Sequence, residues 1–447
     1  MKRTLTLAGA GLVGALTATL LAQHGFDVEV FERRPDPRRH GFLGGRSINL
    51  ALAERGWHGL RVAGLQSKIE PIAVMMRGRM VHRLDGHTEL LRYGRDDSQV
   101  IWSVNRGSLN MALLDAAEAS GARIHFGQRL AGVNWDTASL QLCDDAGTTR
   151  EHAFVQVIGA DGAGSALRAA LAQQEDLGER FEPLDHGYKE LEIPARDGAF
   201  QMEANALHIW PRGNYMCIAL PNAQGSFTVT LFLPNQGDPS FATVRTPADA
   251  RALFARDFAD ARALIPDLEK DYAENPTGLL GTLYLQRWHS GGRALLIGDA
   301  AHAIVPFHGQ GMNCGFEDAV ELADLMADTR DSAAAFAEFE RRRKPNADAI
   351  AAMALENYVE MRDSVADAHF LLMRALERTL AERHPGRFVP RYWMVTFSRV
   401  PYAVAFARGE IQSGILRELT AGKTDLAQVD LAAADALVMQ RLSPFSA

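Results

Sequence analysis

Gly9-Ala10-Gly11-Leu12-Val13-Gly14 follows a short apolar run at 4–8 and opens a stretch of small and apolar residues at helical spacing, 12–24. Three glycines so spaced suit a dinucleotide. The first, Gly9, permits a tight turn; the second, Gly11, lets backbone amides approach a pyrophosphate; the third, Gly14, lets helix and strand close on each other. The phosphate then meets a helix N-terminus, whose unpaired N–H groups favour anions. By itself the spacing is weak, and Met1-Lys2-Arg3 before an apolar stretch to Leu21 is also what a secretory leader looks like. Glu32 favours the dinucleotide. It ends the next alternating run, 27–31, where its carboxylate can accept both ribose hydroxyls of an adenosine lacking a 2′-phosphate.

Two further segments carry glycines beside an acid. The apolar run 293–297 ends in Gly298-Asp299, and a glycine-rich stretch, 306–313, then opens a long helix. Asp299 can bond a sugar-like hydroxyl or merely cap a helix. The amides of Gly311, Met312 and Asn313 can face a group that gains negative charge. Gly159-Ala160-Asp161-Gly162 reads, taken alone, as a turn before a helix.

In this order the three segments resemble the flavoprotein aromatic hydroxylases, the group that includes p-hydroxybenzoate hydroxylase. The resemblance implies FAD as the bound cofactor. It places Gly9, Gly11, Leu12, Val13, Gly14, Glu32, Arg33, Asp161, Asp299, Gly311, Met312 and Asn313 around it, with Arg46, Ala51, Arg106 and Leu130 lining it as well. Residues 46–52, 188–191, 305–318, 356–362 and 394–399 are similar, more narrowly, to the kynurenine 3-monooxygenases. That likeness runs to about residue 400 and leaves the segment beyond 420 as a helical extension in place of the animal enzymes' membrane-anchoring tail.

What it implies is hydroxylation of L-kynurenine to 3-hydroxykynurenine in tryptophan degradation, through a flavin C4a-hydroperoxide, with O₂ and transient NADPH or NADH. The chemistry is borne by the flavin, so no catalytic acid–base residue is expected. Arg79, Tyr93, Asn357 and Tyr392 fall where the family holds the amino-acid end, and a guanidinium fork matches a carboxylate. Met216, Ile218 and Leu220, with Thr230 and Phe232, alternate on two strands and are expected to face the aromatic ring. Phe307 and His308 complete that contact, and Glu360 is a supporting candidate. Arg79 as a plain surface arginine, or the tyrosines as core aromatics, are the blander alternatives. A hydroxylase of salicylate or hydroxybenzoate type shares the three cofactor segments, and a non-catalytic flavin sensor would share them too.

The elements that must position these residues alternate in type. Residues 4–8, 12–24 and 27–31 read as a β-α-β unit; 109–120 reads as a helix, 123–126 and 154–158 as strands. Residues 207–210, 215–220 and 226–233, separated by Pro- and Gly-bearing turns, form an antiparallel meander. Helices are expected at 247–262 and almost throughout from 319 onward. The predicted fold is α/β. A discontinuous Rossmann-type FAD-binding domain takes 1–70, 98–180 and 286–335. An inserted, mostly antiparallel β-sheet substrate domain takes 71–97 and 181–285, and a helical C-terminal region takes 336–447.

Composition narrows the class. Hydrophobic residues at 47% and charged residues at 23% suit a globular chain. A net charge of −8 argues against nucleic acid as partner. Cys143, Cys217 and Cys314 have no metal or disulfide spacing, so no metal is expected and a reducing cytoplasm fits. No stretch has the length of a membrane span. Oligomeric state is left open, a dimer being one option.

Overall fold

The computed structural model describes residues 3–40, 49–94, 96–360 and 368–445. At its centre lies the strand Thr4–Ala8, whose Leu5 and Leu7 are wholly buried. It pairs in parallel with Asp27–Phe31 on one side and Val157–Gly159 on the other. Ala294–Leu296 extends the sheet past Val157–Gly159, and Arg123–His125 extends it past Asp27–Phe31. A short antiparallel strand, His289–Ser290, closes one edge. The sheet thus draws its strands from early, middle and late parts of the chain.

Helix Leu12–Gln23 is buried almost all round. Its interior threonines satisfy their hydroxyls one turn back, Thr17 on the Val13 carbonyl at 2.7 Å and Thr19 on that of Ala15 at 2.8 Å. Helices Arg106–Ala119 and Gly311–Asp328 pack against it. The former begins earlier than its apolar spacing suggests, because Asn105 caps it by accepting from the Ser108 amide.

A seven-stranded sheet runs in the order Gly278–Tyr284, Arg180–Ile193, Phe227–Pro234, Met216–Pro221, Ala206–Pro211, Gly78–His82, Thr88–Arg92. The meander matches its expected limits closely. Two features lie beyond the sequence reading. Arg180–Ile193 is a long strand paired on both sides, and Gly78–His82 joins as a parallel neighbour of Ala206–Pro211. One face of the sheet is covered by helices Pro247–Asp257, Ala259–Arg262 and Leu268–Glu274 around Leu191, Leu231, Phe254 and Phe258. Thr246 and Asp249 form a capping box at the start of the first, and Phe258 separates the two helices that occupy 247–262, where helices were expected.

Phe227–Pro234 is buried at every position, because its second face turns toward the first unit. Asn49 ties the two together. Its amide donates to the Pro221 carbonyl at 3.0 Å and to Asn222 Oδ1 at 2.8 Å, and its carbonyl oxygen accepts from the Thr228 hydroxyl at 3.1 Å. Two small antiparallel sheets, Asn49–Leu52 with Ile101–Asn105 and Ala73–Met76, and Arg129–Asn134 with Ser139–Cys143 and Thr149–Ala153, are also absent from the sequence reading. The remainder is helical, led by Ser332–Val359, Ala368–Arg383, Arg391–Thr396 and Tyr402–Thr420. Among the described residues no helix is long and apolar enough to cross a membrane.

Candidate active site

The three glycine-bearing segments meet. A Cβ added at Gly9, where φ is +96°, stands 2.5 Å from the Ala160 carbonyl oxygen, and one at Gly14 stands 2.1 Å from that of Gly9. Neither position admits a side chain. One at Gly298 falls 3.2 Å from Val13 Cγ2, so the first helix also touches the third segment. Gly11 differs: a Cβ there meets no heavy atom within 4 Å, and its helix starts with no side-chain cap and no acid in the first turn. A backbone cradle with unsatisfied amides fits a pyrophosphate.

Glu32 sits at the mouth of this turn, its two oxygens accepting from the Ala10 amide at 2.8 Å and the Arg34 amide at 2.9 Å. Each oxygen keeps acceptor capacity for a hydroxyl. Arg33 and Arg106 are exposed nearby. Burial lowers the proton affinity of Arg34, Glu32 opposes this, and Arg33 and Arg106 reinforce it. The mouth is therefore electropositive. Leu12 and Leu130 are buried close by in the core.

Asp299 is exposed at the start of the short helix Asp299–His302, whose N-cap is Gly298 at φ +56°, so the plain capping alternative for Asp299 does not apply. Two other residues expected around the cofactor have side chains bonded within the protein. The Asp161 carboxylate accepts from the Ser165 hydroxyl at 2.5 Å and the Ala166 amide at 2.7 Å, capping Ala166–Ala172. The Asn313 side chain accepts from the Ala53 amide at 2.9 Å and donates to the carbonyls of Ala51, at 2.8 Å, and Gly309, at 2.9 Å. What Gly311, Met312 and Asn313 can offer a ligand is thus their backbone at an uncapped helix start. Arg46 lies outside the described residues.

On the seven-stranded sheet, register gathers the apolar candidates on one face. Val81 pairs with Ile209, Ile209 with Ile218, Ile218 with Thr230, and Thr230 with Glu190. Met216 pairs with Phe232 and Leu220 with Thr228, while Arg79, two residues before Val81, pairs with Leu207 on the same face. Phe307 closes over this face, its ring 5.2 Å from that of Phe232 and 4.6 Å from that of Tyr358. The Thr230 hydroxyl is buried with no partner among the described residues. Val81, Leu207 and Ile209 share this face and were not among the residues named from the sequence; period-two spacing in Gly78–His82 and Ala206–Pro211 was the available signal.

Arg79 lies at one end, its guanidinium carbon 5.7 Å from the ring centre of Tyr93 and 5.9 Å from that of Tyr392. Among the described residues no carboxylate reaches it at ion-pair distance. Burial works against its charge, but Tyr93, Tyr392 and Glu360 outweigh this and raise its proton affinity. Burial pushes both tyrosine hydroxyls up, keeping them neutral donors. Tyr392 also stacks on His308, 5.7 Å between centres. Burial pulls the His308 imidazole down to about 4, so the ring beside the arginine is neutral. Asn357 donates to the Phe307 carbonyl at 2.6 Å, which holds the loop Pro306–His308 over the sheet. Glu360 pairs with Arg374 and supports Arg79 only from a distance.

A family model described as an FAD binding domain matches residues 3–354. The kynurenine 3-monooxygenase of Xanthomonas axonopodis pv. citri (strain 306) is 60% identical over 445 residues, covering 99% of this chain and 98% of that protein. That of Xanthomonas campestris pv. campestris (strain 8004) is 58% identical, covering 99% and 97%. Among solved structures, the C294A mutant of 2-methyl-3-hydroxypyridine-5-carboxylic acid oxygenase superposes with a TM-score of 0.68 at 19% identity, covering 89% of this chain and 99% of that one. Pseudomonas aeruginosa PqsL, in complex with 2-aminobenzoylacetate, superposes with a TM-score of 0.66 at 21% identity, covering 81% and 97%. With its glycine cradle, its Glu32 and its arginine-ended apolar face in place, the chain belongs to the FAD-dependent kynurenine 3-monooxygenases.

Proposed function

We propose that this protein hydroxylates L-kynurenine to 3-hydroxykynurenine, with FAD bound at the convergent glycine segments and with O₂ and NADPH as co-substrates. The observation that carries the substrate end is Arg79, a half-buried guanidinium beside two stacked tyrosines, with no carboxylate of the described residues at ion-pair distance. It suits the substrate carboxylate, which it can grip with two parallel N–H bonds. From there the face of Met216, Ile218, Leu220 and Phe232 runs apolar toward Phe307, as an aromatic ring requires. The unpartnered Thr230 hydroxyl offers that ring's amine an acceptor.

When bound, FAD takes electrons from the reduced nicotinamide and activates O₂ for insertion beside the ring amine. This chain's residues orient and enclose. Glu32 fixes the ribose end, the Gly11 turn the phosphates, and the Asn313 staple keeps the uncapped amides of Gly311–Asp328 facing inward. Asn357 holds Phe307 against Phe232 and Tyr358, keeping water from the reacting carbon. No side chain is required to deprotonate the substrate, because the amine already enriches the ring.

The test is product identification. The purified yellow holoprotein, given kynurenine, NADPH and O₂, is expected to yield a product heavier by one oxygen and to consume NADPH faster than with 4-hydroxybenzoate. NADPH consumption that kynurenine does not accelerate overturns the reading.

A further inference from the structure

Arg79 and Val81 lie on the apolar face of the sheet, and His82, the last residue of their strand, points the opposite way into an array of buried rings closed by the half-exposed Asp260. His82 Nδ1 lies 2.8 Å from Asp260 Oδ2, and its Nε2 lies 2.8 Å from His208 Nδ1. His208 Nε2 lies 2.9 Å from the Glu203 carbonyl, and Trp210 Nε1 donates to Asp260 Oδ2 at 2.8 Å. The His82 ring also stacks on Trp210, 4.2 Å between centres. Arg212 adds a bond from Nη1 to the His82 carbonyl at 3.0 Å and one from Nε to that of Asp257 at 2.6 Å.

Proton bookkeeping fixes the roles. A carbonyl only accepts, so His208 must carry its proton on Nε2. Burial pulls the His208 imidazole down to about 4, which leaves Nδ1 bare as an acceptor. Burial opposes the Asp260 charge too, but hydrogen bonds from His82 and Trp210 outweigh it and hold the carboxyl at about 2. The His82 Nε2 then donates to His208 Nδ1, and its Nδ1 lies against the Asp260 carboxylate.

The strand this array grips needs such support. Its outer neighbour, Thr88–Arg92, is exposed at all five positions and ends the sheet. We propose that the hydrogen-bonded pair His82–Asp260, with His208 and Trp210, is the positioning device for Arg79, tethering its strand from behind so that the guanidinium meets the substrate carboxylate. This rests on the assignment of Arg79 to that carboxylate.

Two variants that disrupt the array test it on the FAD-loaded enzyme. Asp260→Asn removes the carboxylate but keeps an acceptor for Trp210 at a half-exposed site, and His82→Gln removes the ring that bridges Asp260 and His208. Each is expected to raise the KM for kynurenine about 5- to 50-fold with kcat within about twofold, because ground-state binding is lost and not chemistry. With kynurenine's decarboxylated analogue, which has nothing for Arg79 to hold, KM is expected to match the wild type. Asp260→Asn added to Arg79→Ala is expected to cost nothing further. An unchanged KM in both variants, an equal loss with the analogue, or loss of flavin overturns the inference. If Arg79→Ala weakens kynurenine binding while neither variant does, only the inference fails. If Arg79→Ala has no effect, the carboxylate site fails and the inference goes with it.

Discussion

Tyr93 and Tyr392, drawn from distant parts of the chain, stack with ring centres 5.9 Å apart and planes 18° from parallel. The Arg79 guanidinium carbon lies 5.7 Å from one ring centre and 5.9 Å from the other. Arg79→Ala is expected to raise the kynurenine Kd while FAD remains bound. A lost charged hydrogen bond costs about 1.5–3 kcal/mol, or roughly 10- to 150-fold. Arg79→Lys should recover only part, since an ammonium lacks the planar fork. Titrating kynurenine into the protein and following the flavin spectrum reads both, and an unchanged affinity removes Arg79 from the site.

Gly11 and Gly14 should fail differently. A methyl at Gly14 collides with the Gly9 backbone, so Gly14→Ala is expected to lower the melting temperature even of flavin-free protein. Overpacking of this kind costs about 1–3 kcal/mol. Gly11→Ala meets nothing in the protein and should leave flavin-free stability within about 0.5 kcal/mol while weakening FAD retention. Thermal melts of the two stripped variants, with flavin content measured beforehand, separate them.

The bond from Asn357 to the Phe307 carbonyl should govern coupling. Removing the donor with Asn357→Ala leaves that carbonyl under-satisfied, a cost of about 1–3 kcal/mol that loosens the loop. A larger share of the NADPH consumed is expected to end as H₂O₂ in place of hydroxylated product. Peroxide and product quantified in one assay decide it, and an unaltered ratio assigns the bond to folding alone.

Asp318 is fully buried and accepts from the Gly298 amide at 3.0 Å, from His302 Nε2 at 2.6 Å and from Arg343 Nε at 2.7 Å. Burial disfavours its charge, but His302 and Arg343 outweigh burial and hold the carboxyl far below its usual range. As pH falls below about 4, the unfolded chain takes up this proton before the folded one does. The stability it contributes is therefore whole at neutral pH and declines in acid. Asp318→Asn is expected to cost about 3 kcal/mol at pH 7, since it removes one of the two carboxylates, Asp318 and Glu317, that compensate the buried Arg343. Urea unfolding of the two proteins should show that gap narrowing in acid; a constant gap contradicts the assignment.

The nucleotide-binding half was legible because its signals are local. Gly9, Gly11, Gly14 and Glu32 lie within one β-α-β unit, where spacing alone states the geometry. The meander at 206–234 was legible for the same reason, its turns standing beside its strands. What escaped depends on chain segments meeting across long separations. Nothing in the sequence of Gly78–His82 announces a parallel partner at Ala206–Pro211, and so Val81 and Ile209 went unnamed. Composition does not show what an acid bonds within the chain, and the Asp161 carboxylate accepts from the Ala166 amide at a helix start. Nor does a motif reveal which half of a residue is used: the Asn313 side chain is spent on Ala51, Ala53 and Gly309.

The order of these contacts along the polypeptide bears on how the enzyme comes into being during synthesis. Every strand of the nucleotide-binding sheet has been made once Ala294–Leu296 has emerged, whereas Tyr392 arrives nearly a hundred residues later. A ribosome therefore releases the means of holding the dinucleotide before the means of recognising the amino acid. A chain cut short between the two would inherit the first capability without the second.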